Sequence, residues 1–252
     1  MPEPTLVTNG LSRFFGGLVA VNEVSLELRC GEVHAVIGPN GAGKSTLINL
    51  LSGHMTPSAG SVVFEGIDIA GFSPDHVAHL GIGRSFQRTN VFPEFSAFEN
   101  CRLAAQARLP SSMRFIRPAL SNRALAETAR RSLALVGLEG AAGRLASALS
   151  HGEQRQLEIA MTLAMEPKVL LLDEPLAGMG AEESRRMVTL IAALAARHAI
   201  LLVEHDMDAV FSIAQRLTVM VNGRVLESGT PEAIRESAAV QEAYLGGAEA
   251  AP

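Results

Sequence analysis

Val33-His34-Ala35-Val36-Ile37, running straight into Gly38-Pro39-Asn40-Gly41-Ala42-Gly43-Lys44-Ser45-Thr46, decides the architecture. The second stretch fits the pattern G-x-x-x-x-G-K-[ST], with a short apolar strand before it and a helical pattern after it, which is the context the pattern requires. Glycines let backbone N–H groups turn inward around phosphate oxygens, and the N-terminus of the following helix adds a favourable dipole. Gly38, Pro39, Asn40, Gly41, Ala42, Gly43 and Thr46 would form the cradle, Lys44 would reach the β- and γ-phosphates, and the Ser45 hydroxyl would hold Mg²⁺. After Lys44 the apolar positions Leu47, Leu50 and Leu51 keep helical spacing, with Gly53 as the stop.

Downstream, Val169-Leu170-Leu171-Leu172-Asp173-Glu174 is an apolar run ending in two acids. At the C-terminal edge of a parallel strand such acids face the ligand crevice. Asp173 would contact Mg²⁺, and Glu174 would accept the proton of an attacking water. The next predicted strand, Ile200–Val203, leads into Glu204-His205-Asp206, so His205 is expected beside Glu174 as a γ-phosphate contact. Leu149-Ser150-His151-Gly152-Glu153-Gln154 precedes a helix whose apolar face is Leu157, Ala160, Met161 and Ala164. Ser150 and Glu153 are spaced as a capping box, and a helix start with glycine beside it also favours a phosphate; the cap alone does not choose between these readings.

Around these motifs the chain alternates. Val24, Leu26 and Leu28 alternate with Ser25, Glu27 and Arg29 as a half-buried strand, and residues 61–69 return to strand character. Roughly 88–148 reads as helical, broken at Pro110 and Pro118. Met187, Leu190, Ile191 and Leu194 mark a further helix, and Asn222-Gly223 marks a hairpin. Strands alternating with helices predict an α/β fold with a parallel sheet covered by helices. Phe86, Phe92, Phe95 and Phe98 crowd one short stretch; they are either a small core under a loop or an apolar dock for a partner helix.

Composition narrows the function classes. Apolar residues make up 48% of 252, enough for a sizeable core. A net charge of −5 with no basic run argues against a sequence-independent grip on nucleic acid or on anionic lipid. Cys30 and Cys101 are isolated thiols, which fits a reducing compartment and offers no paired metal ligands. The start Met1-Pro2-Glu3-Pro4-Thr5 has no signal-peptide pattern, and no apolar run is long enough to span a bilayer.

Taken in order, these motifs resemble those of an ATP-binding-cassette ATPase over residues 5–245. The resemblance implies a P-loop NTPase with a RecA-like core, an antiparallel β subdomain and a helical insertion. Its parts would be 5–86 for the β subdomain and phosphate-loop core, 88–154 for the helical subdomain, 155–226 for the second half of the core and 227–252 for a tail. It implies that Phe15 stacks on adenine, that Val21 is among the nucleotide-binding residues, and that Gln87 serves catalysis and Mg²⁺ in the Q-loop. Ser150, Gly152 and Glu153 become a signature that serves ATP held by a second cassette in a head-to-tail dimer, and His205 the switch histidine.

Arg13–Asn22, Gly83–Arg88, Gln156–Ala160, Pro175–Met179 and the segment from Glu227 to Gly246 are similar to the ATPases of branched-chain amino acid importers, a group that includes urea and amide importers. Two permeases, a second related ATPase and an extracytoplasmic solute-binding protein are then the implied partners, with the chain peripheral on the cytoplasmic face of the bacterial inner membrane. Other readings are a soluble ABC protein without permeases, an exporter ATPase and a P-loop kinase, the last having no use for Leu149–Gln154. Two positions depart from the family pattern: His151, where glycine is commonest, and Gly180, where Asp or Asn is usual.

Overall fold

Three short, mainly apolar runs become the centre of one sheet. The computed structural model describes residues 3–85, 90–109 and 123–245. β1 (Leu6–Phe15), β2 (Leu18–Leu28), β4 (Ala59–Phe64) and β5 (Ile67–Asp68) form an antiparallel sheet in the order β2-β1-β4-β5. β3 (Val33–Ile37), β6 (Ile82–Arg84), β7 (Val169–Asp173), β8 (Ala199–Val203), β9 (Arg216–Val221) and β10 (Arg224–Gly229) form a second sheet in the order β10-β9-β3-β8-β7-β6. In it β9, β3, β8, β7 and β6 run parallel, and β10 returns antiparallel from the Asn222-Gly223 turn, where both residues have positive φ. That backbone is what a tight hairpin of this twist demands.

β3, β7 and β8 are buried along their whole length because both faces are covered, and apart from His34 and the terminal Asp173 they are apolar. Leu170, Leu172, Ile200 and Leu202 enter one core with Leu157 and Ile159 of α5 (His151–Ala164) and Met187 and Ile191 of α6 (Ala181–Ala195). Their strand neighbours Val169, Leu171, Leu201 and Val203 enter the other, with Leu47 and Leu51 of α1 (Lys44–Leu51) and Leu6, Leu26 and Leu28 of the antiparallel sheet. α3 (Ala97–Ala107) and α4 (Arg123–Leu135) pack on α5 and lie between β6 and β7 in sequence, as expected for a helical insertion. α7 (Met207–Ile213), α8 (Pro231–Glu236) and α9 (Ala238–Leu245) complete the C-terminal half. α2 (Pro74–Leu80) escapes the sequence reading: it is short, buries only Val77, and its signal is no more than Ser73 before Pro74. No helix among the described residues is long and apolar enough to cross a membrane.

The two sheets are pinned by one buried histidine. His34 on β3 is 1% exposed; Nδ1 meets the Glu27 carbonyl at 3.0 Å and Nε2 meets Thr218 Oγ1 of β9 at 2.8 Å. Burial, opposed by the Glu27 hydrogen bond and assisted by nearby Arg216, lowers its pKa from 6.5 to about 4. The folded state therefore resists a proton that the unfolded chain takes up at 6.5. The contribution is complete above pH 6.5, shrinks as pH falls, and is lost by about pH 4. The gap corresponds to about 3 kcal/mol, which denaturant titrations at pH 7 and pH 4.5 should reveal in large part, and which His34→Gln should abolish.

Candidate nucleotide site

The glycine loop between β3 and α1 is wedged so tightly that two of its positions admit no side chain. At Gly38 (φ 152°) a Cβ would lie 2.1 Å from the Met220 carbonyl oxygen of β9, and at Gly43 (φ 99°) 2.3 Å from that of Ala20 on β2. Gly43 caps α1 without a side chain and no acid stands in the first turn, so the N–H groups at this end face outward uncapped. Ala42 is buried, while Ser45 is exposed on the first turn. Lys44 Nζ donates to the carbonyls of Gly38 at 2.6 Å and Pro39 at 2.9 Å. Burial lowers the Lys44 pKa, and Glu174, then Asp173, push it back up, so the three charges share one field.

β7 delivers those acids, and β8 lies between it and β3. Asp173 is 3% exposed and 3.5 Å from Arg84 Nη2 at the end of β6; burial raises its pKa and Arg84 opposes this. Arg84 is itself held by Asn49 Oδ1 at 2.7 Å and Ser52 Oγ at 3.0 Å on the α1 side. Glu174 takes φ 49°, a left-handed conformation that costs about 1–3 kcal/mol in a non-glycine residue and persists only where its surroundings impose it. Its N–H donates to Val203 O at 2.9 Å, and its carbonyl accepts from Ala177 N at 3.2 Å. His205 follows β8, its side chain 69% exposed and open to the crevice edge. β7 and β8 pair in register up to Asp173 and Val203, which brings the backbones of Glu174 and His205 to the same end of the two strands.

Phe15 ends β1, 42% exposed, with the Arg13 guanidinium 4.7 Å from its ring centroid. Val21 is fully buried within the core beneath the antiparallel sheet, so its side chain supports the site from below rather than lining its surface. Gln87, with Phe86, lies outside the described residues.

Leu149–Gln154 builds a different surface. Ser150 Oγ accepts from Glu153 N at 3.2 Å and Glu153 Oε2 accepts from Ser150 N at 2.7 Å, a complete capping box. The bond from Ser150 N first, and Arg144 after it, hold the Glu153 pKa below its usual value against the opposing effect of burial. Arg144, which carried no sequence signal, donates to Glu153 Oε1 at 2.8 Å and to the Ala148 carbonyl at 2.6 Å. Ser150, Gly152, Glu153, Met179 and Glu183 line a cavity of about 170 Å³. The residues against this turn, Arg144, Ala177 and Glu183, differ from those against the glycine loop, Ala20, Met220 and Gly223. Gly180 precedes α6, and a Cβ there would meet no atom within 4 Å, so a side chain would fit.

His151, the departure inside the signature, donates from Nε2 to the Ala177 carbonyl at 3.2 Å, tying α5 to the loop after Glu174. His151→Gly should cost about 1 kcal/mol by chemical denaturation. ATP affinity of the isolated chain should stay unchanged; weaker ATP binding would put this turn over the chain's own glycine loop.

A strand-fed glycine loop at an uncapped helix start, with paired acids on a parallel strand of the same sheet, defines a P-loop nucleotide-hydrolysing protein. A family profile described as ABC transporter matches residues 21–177, and one described as branched-chain amino acid ATP-binding cassette transporter matches 224–250. The chain belongs to the ABC transporter family as an ATP-binding cassette, a family of ATP-hydrolysing proteins. It is 41% identical to the high-affinity branched-chain amino acid transport ATP-binding protein LivG of Salmonella typhimurium, over 98% of this chain and 99% of that one. It is 40% identical to BraF of Pseudomonas aeruginosa, a protein of the same description, over the same shares. Among solved structures it is similar to the ADP conformation of an ATP-binding cassette of an ABC transporter, with TM-score 0.86 and 29% identity over 97% of this chain and 100% of that one.

Proposed function

We propose that this chain is the ATP-hydrolysing subunit of an importer for branched-chain amino acids, peripheral on the cytoplasmic face of the inner membrane. The observation that carries this reading is the 41% identity along nearly the whole chain to a protein named for branched-chain amino acid transport. In the proposed reaction ATP lies on the glycine loop, with adenine against Phe15, Lys44 on the β- and γ-phosphates and His205 on the γ-phosphate. Glu174 takes a proton from water aligned for in-line attack. The helix start at Ser150 and Gly152 of a second cassette closes the site from the opposite side.

Mg²⁺ fits the oxygen donors here. Ser45 presents an exposed hydroxyl and Asp173 a carboxylate, and no cluster of three His, Cys, Asp or Glu suited to a metal occurs among the described residues. A cation that prefers one or two protein oxygens plus phosphates suits such a site, and Gln87 is a further proposed contact. Bound there, Mg²⁺ would neutralise developing charge on the phosphates.

The partners are two membrane-spanning permeases and a second cassette, with an extracytoplasmic binding protein supplying solute. Phe98 packs partly into the core, while Phe92 and Phe95 stand 53% and 40% exposed with ring centroids 5.7 Å apart, an apolar face suited to a permease helix. The test is affinity capture of the tagged chain from detergent-solubilised membranes, followed by reconstitution of the captured complex. ATP-driven uptake of leucine into proteoliposomes is expected. Uptake of urea without leucine would shift the reading to an amide importer, and capture of ribosomal proteins with no permease would overturn it.

A further inference from the structure

A second carboxylate lies behind the proposed catalytic pair and has no part in the chemistry described so far. Glu204 follows β8 and is 1% exposed. A carboxylate taken that far from water is tolerated only if its oxygens are filled with donors. Backbone amides on opposite sides of the crevice edge fill them. Oε1 accepts from Leu176 N at 2.8 Å, and Oε2 accepts from His205 N at 3.1 Å. Leu176 lies two residues after Glu174, inside the short turn closed by the Ala177 N to Glu174 O bond.

We infer that Glu204 is a positioning residue that fixes Glu174 and His205 relative to each other by bridging the turn after β7 to the end of β8. The inference rests on the roles proposed above for those two residues. Glu174 sits in a left-handed backbone, so its turn needs outside restraint. One restraint is main-chain, from Glu174 N to Val203 O, and no side-chain change removes it. A second is His151 Nε2 on the Ala177 carbonyl, which does not reach β8. A third is the Glu204 carboxylate, and the same group grips the N–H of His205. Charged acceptors bind amides more strongly than neutral ones, which suits a residue holding a strained turn. Burial raises the Glu204 pKa, while the amides of Leu176 and His205 draw it back down.

The experiment compares Glu204→Leu, Glu204→Gln and Glu204→Asp in steady-state ATP hydrolysis and in amide hydrogen exchange. Glu204→Leu, with no acceptor, should lower kcat by about 10²-fold while the ATP KM moves less than about threefold, because displacement of a catalytic group by about 1 Å is enough for such a loss. Glu204→Asp keeps the charge but is too short to bridge, and should fall as far. Glu204→Gln keeps one acceptor and should lie between, about tenfold below wild type. Exchange at the Leu176 and His205 amides should quicken in the Leu and Asp variants while Leu201, inside β8, stays protected. Wild-type kcat in Glu204→Gln or Glu204→Leu overturns the inference, as does a KM change matching the kcat change. If Glu204→Leu does not fold, Gln against Asp decides. Failure of the base assignment is separate: it shows as turnover in Glu174→Gln, whereas the exchange rates report on Glu204 in either case.

Discussion

Replacing Glu174 with Gln is expected to cut kcat by about 10²–10⁴-fold, the usual worth of a general base. The change is isosteric. Glu174 is held in its left-handed backbone by main-chain bonds with Val203 and Ala177 and by the Glu204 bond to Leu176, all of which glutamine keeps. What disappears is the ability to accept a proton from water. ATP binding should survive and even strengthen, since a negative charge that acts on Lys44 and Asp173 is removed from the phosphate site. ATP bound but not hydrolysed would hold two cassettes together, so size-exclusion chromatography with ATP and Mg²⁺ should show a long-lived dimer. Wild-type turnover in Glu174→Gln would exclude this residue as the base. A monomer with ATP fully bound would instead argue against the two-cassette site.

Local pattern carried the elements that line the crevice. β3, β7 and β8 were legible because both their faces are buried, leaving mostly apolar runs of strand length, broken only by His34 and ended by Asp173. The hairpin at Asn222-Gly223 and the cap at Ser150 were legible because each depends on residues close in sequence. The groups that hold the site in place were not, because their partners are distant in the chain. Arg84 is 35 residues from Asn49, and its pairing with Asp173 depends on β6 lying beside β7. His34 meets Thr218 across 184 residues through the β3–β9 pairing. Glu204 reads in sequence only as the neighbour of His205; its bond to Leu176 spans 28 residues and exists only once β7 and β8 are paired. Polar residues satisfied over such separations leave no periodicity to read. The catalytic candidates lie at strand ends that pattern reveals, whereas their supports become visible only with the topology.

Lys44→Ala should weaken ATP binding by about 10²–10³-fold, the loss expected when one partner of a desolvated, hydrogen-bonded charge pair is removed. The ammonium is held by the loop's own carbonyls, at 2.6 Å from Gly38 O and 2.9 Å from Pro39 O. It is therefore already ordered where phosphate oxygens would arrive, and little conformational freedom remains to be lost on binding. It is also the cation that both Glu174 and Asp173 act upon. Without it those carboxylates repel the triphosphate, so the defect should exceed the loss of a single contact. Lys44→Arg should not rescue: a planar fork cannot reproduce a compact ammonium seated between two adjacent carbonyls. Folding should be nearly unaffected, since alanine suits the first turn of α1 and the loop is fixed by the packing of Gly38 and Gly43. Calorimetric titration with ATP, alongside a thermal melt, separates the two effects. Wild-type affinity in a folded Lys44→Ala protein would move the phosphates off this loop, and with them the roles assigned to Glu174, His205 and Asp173.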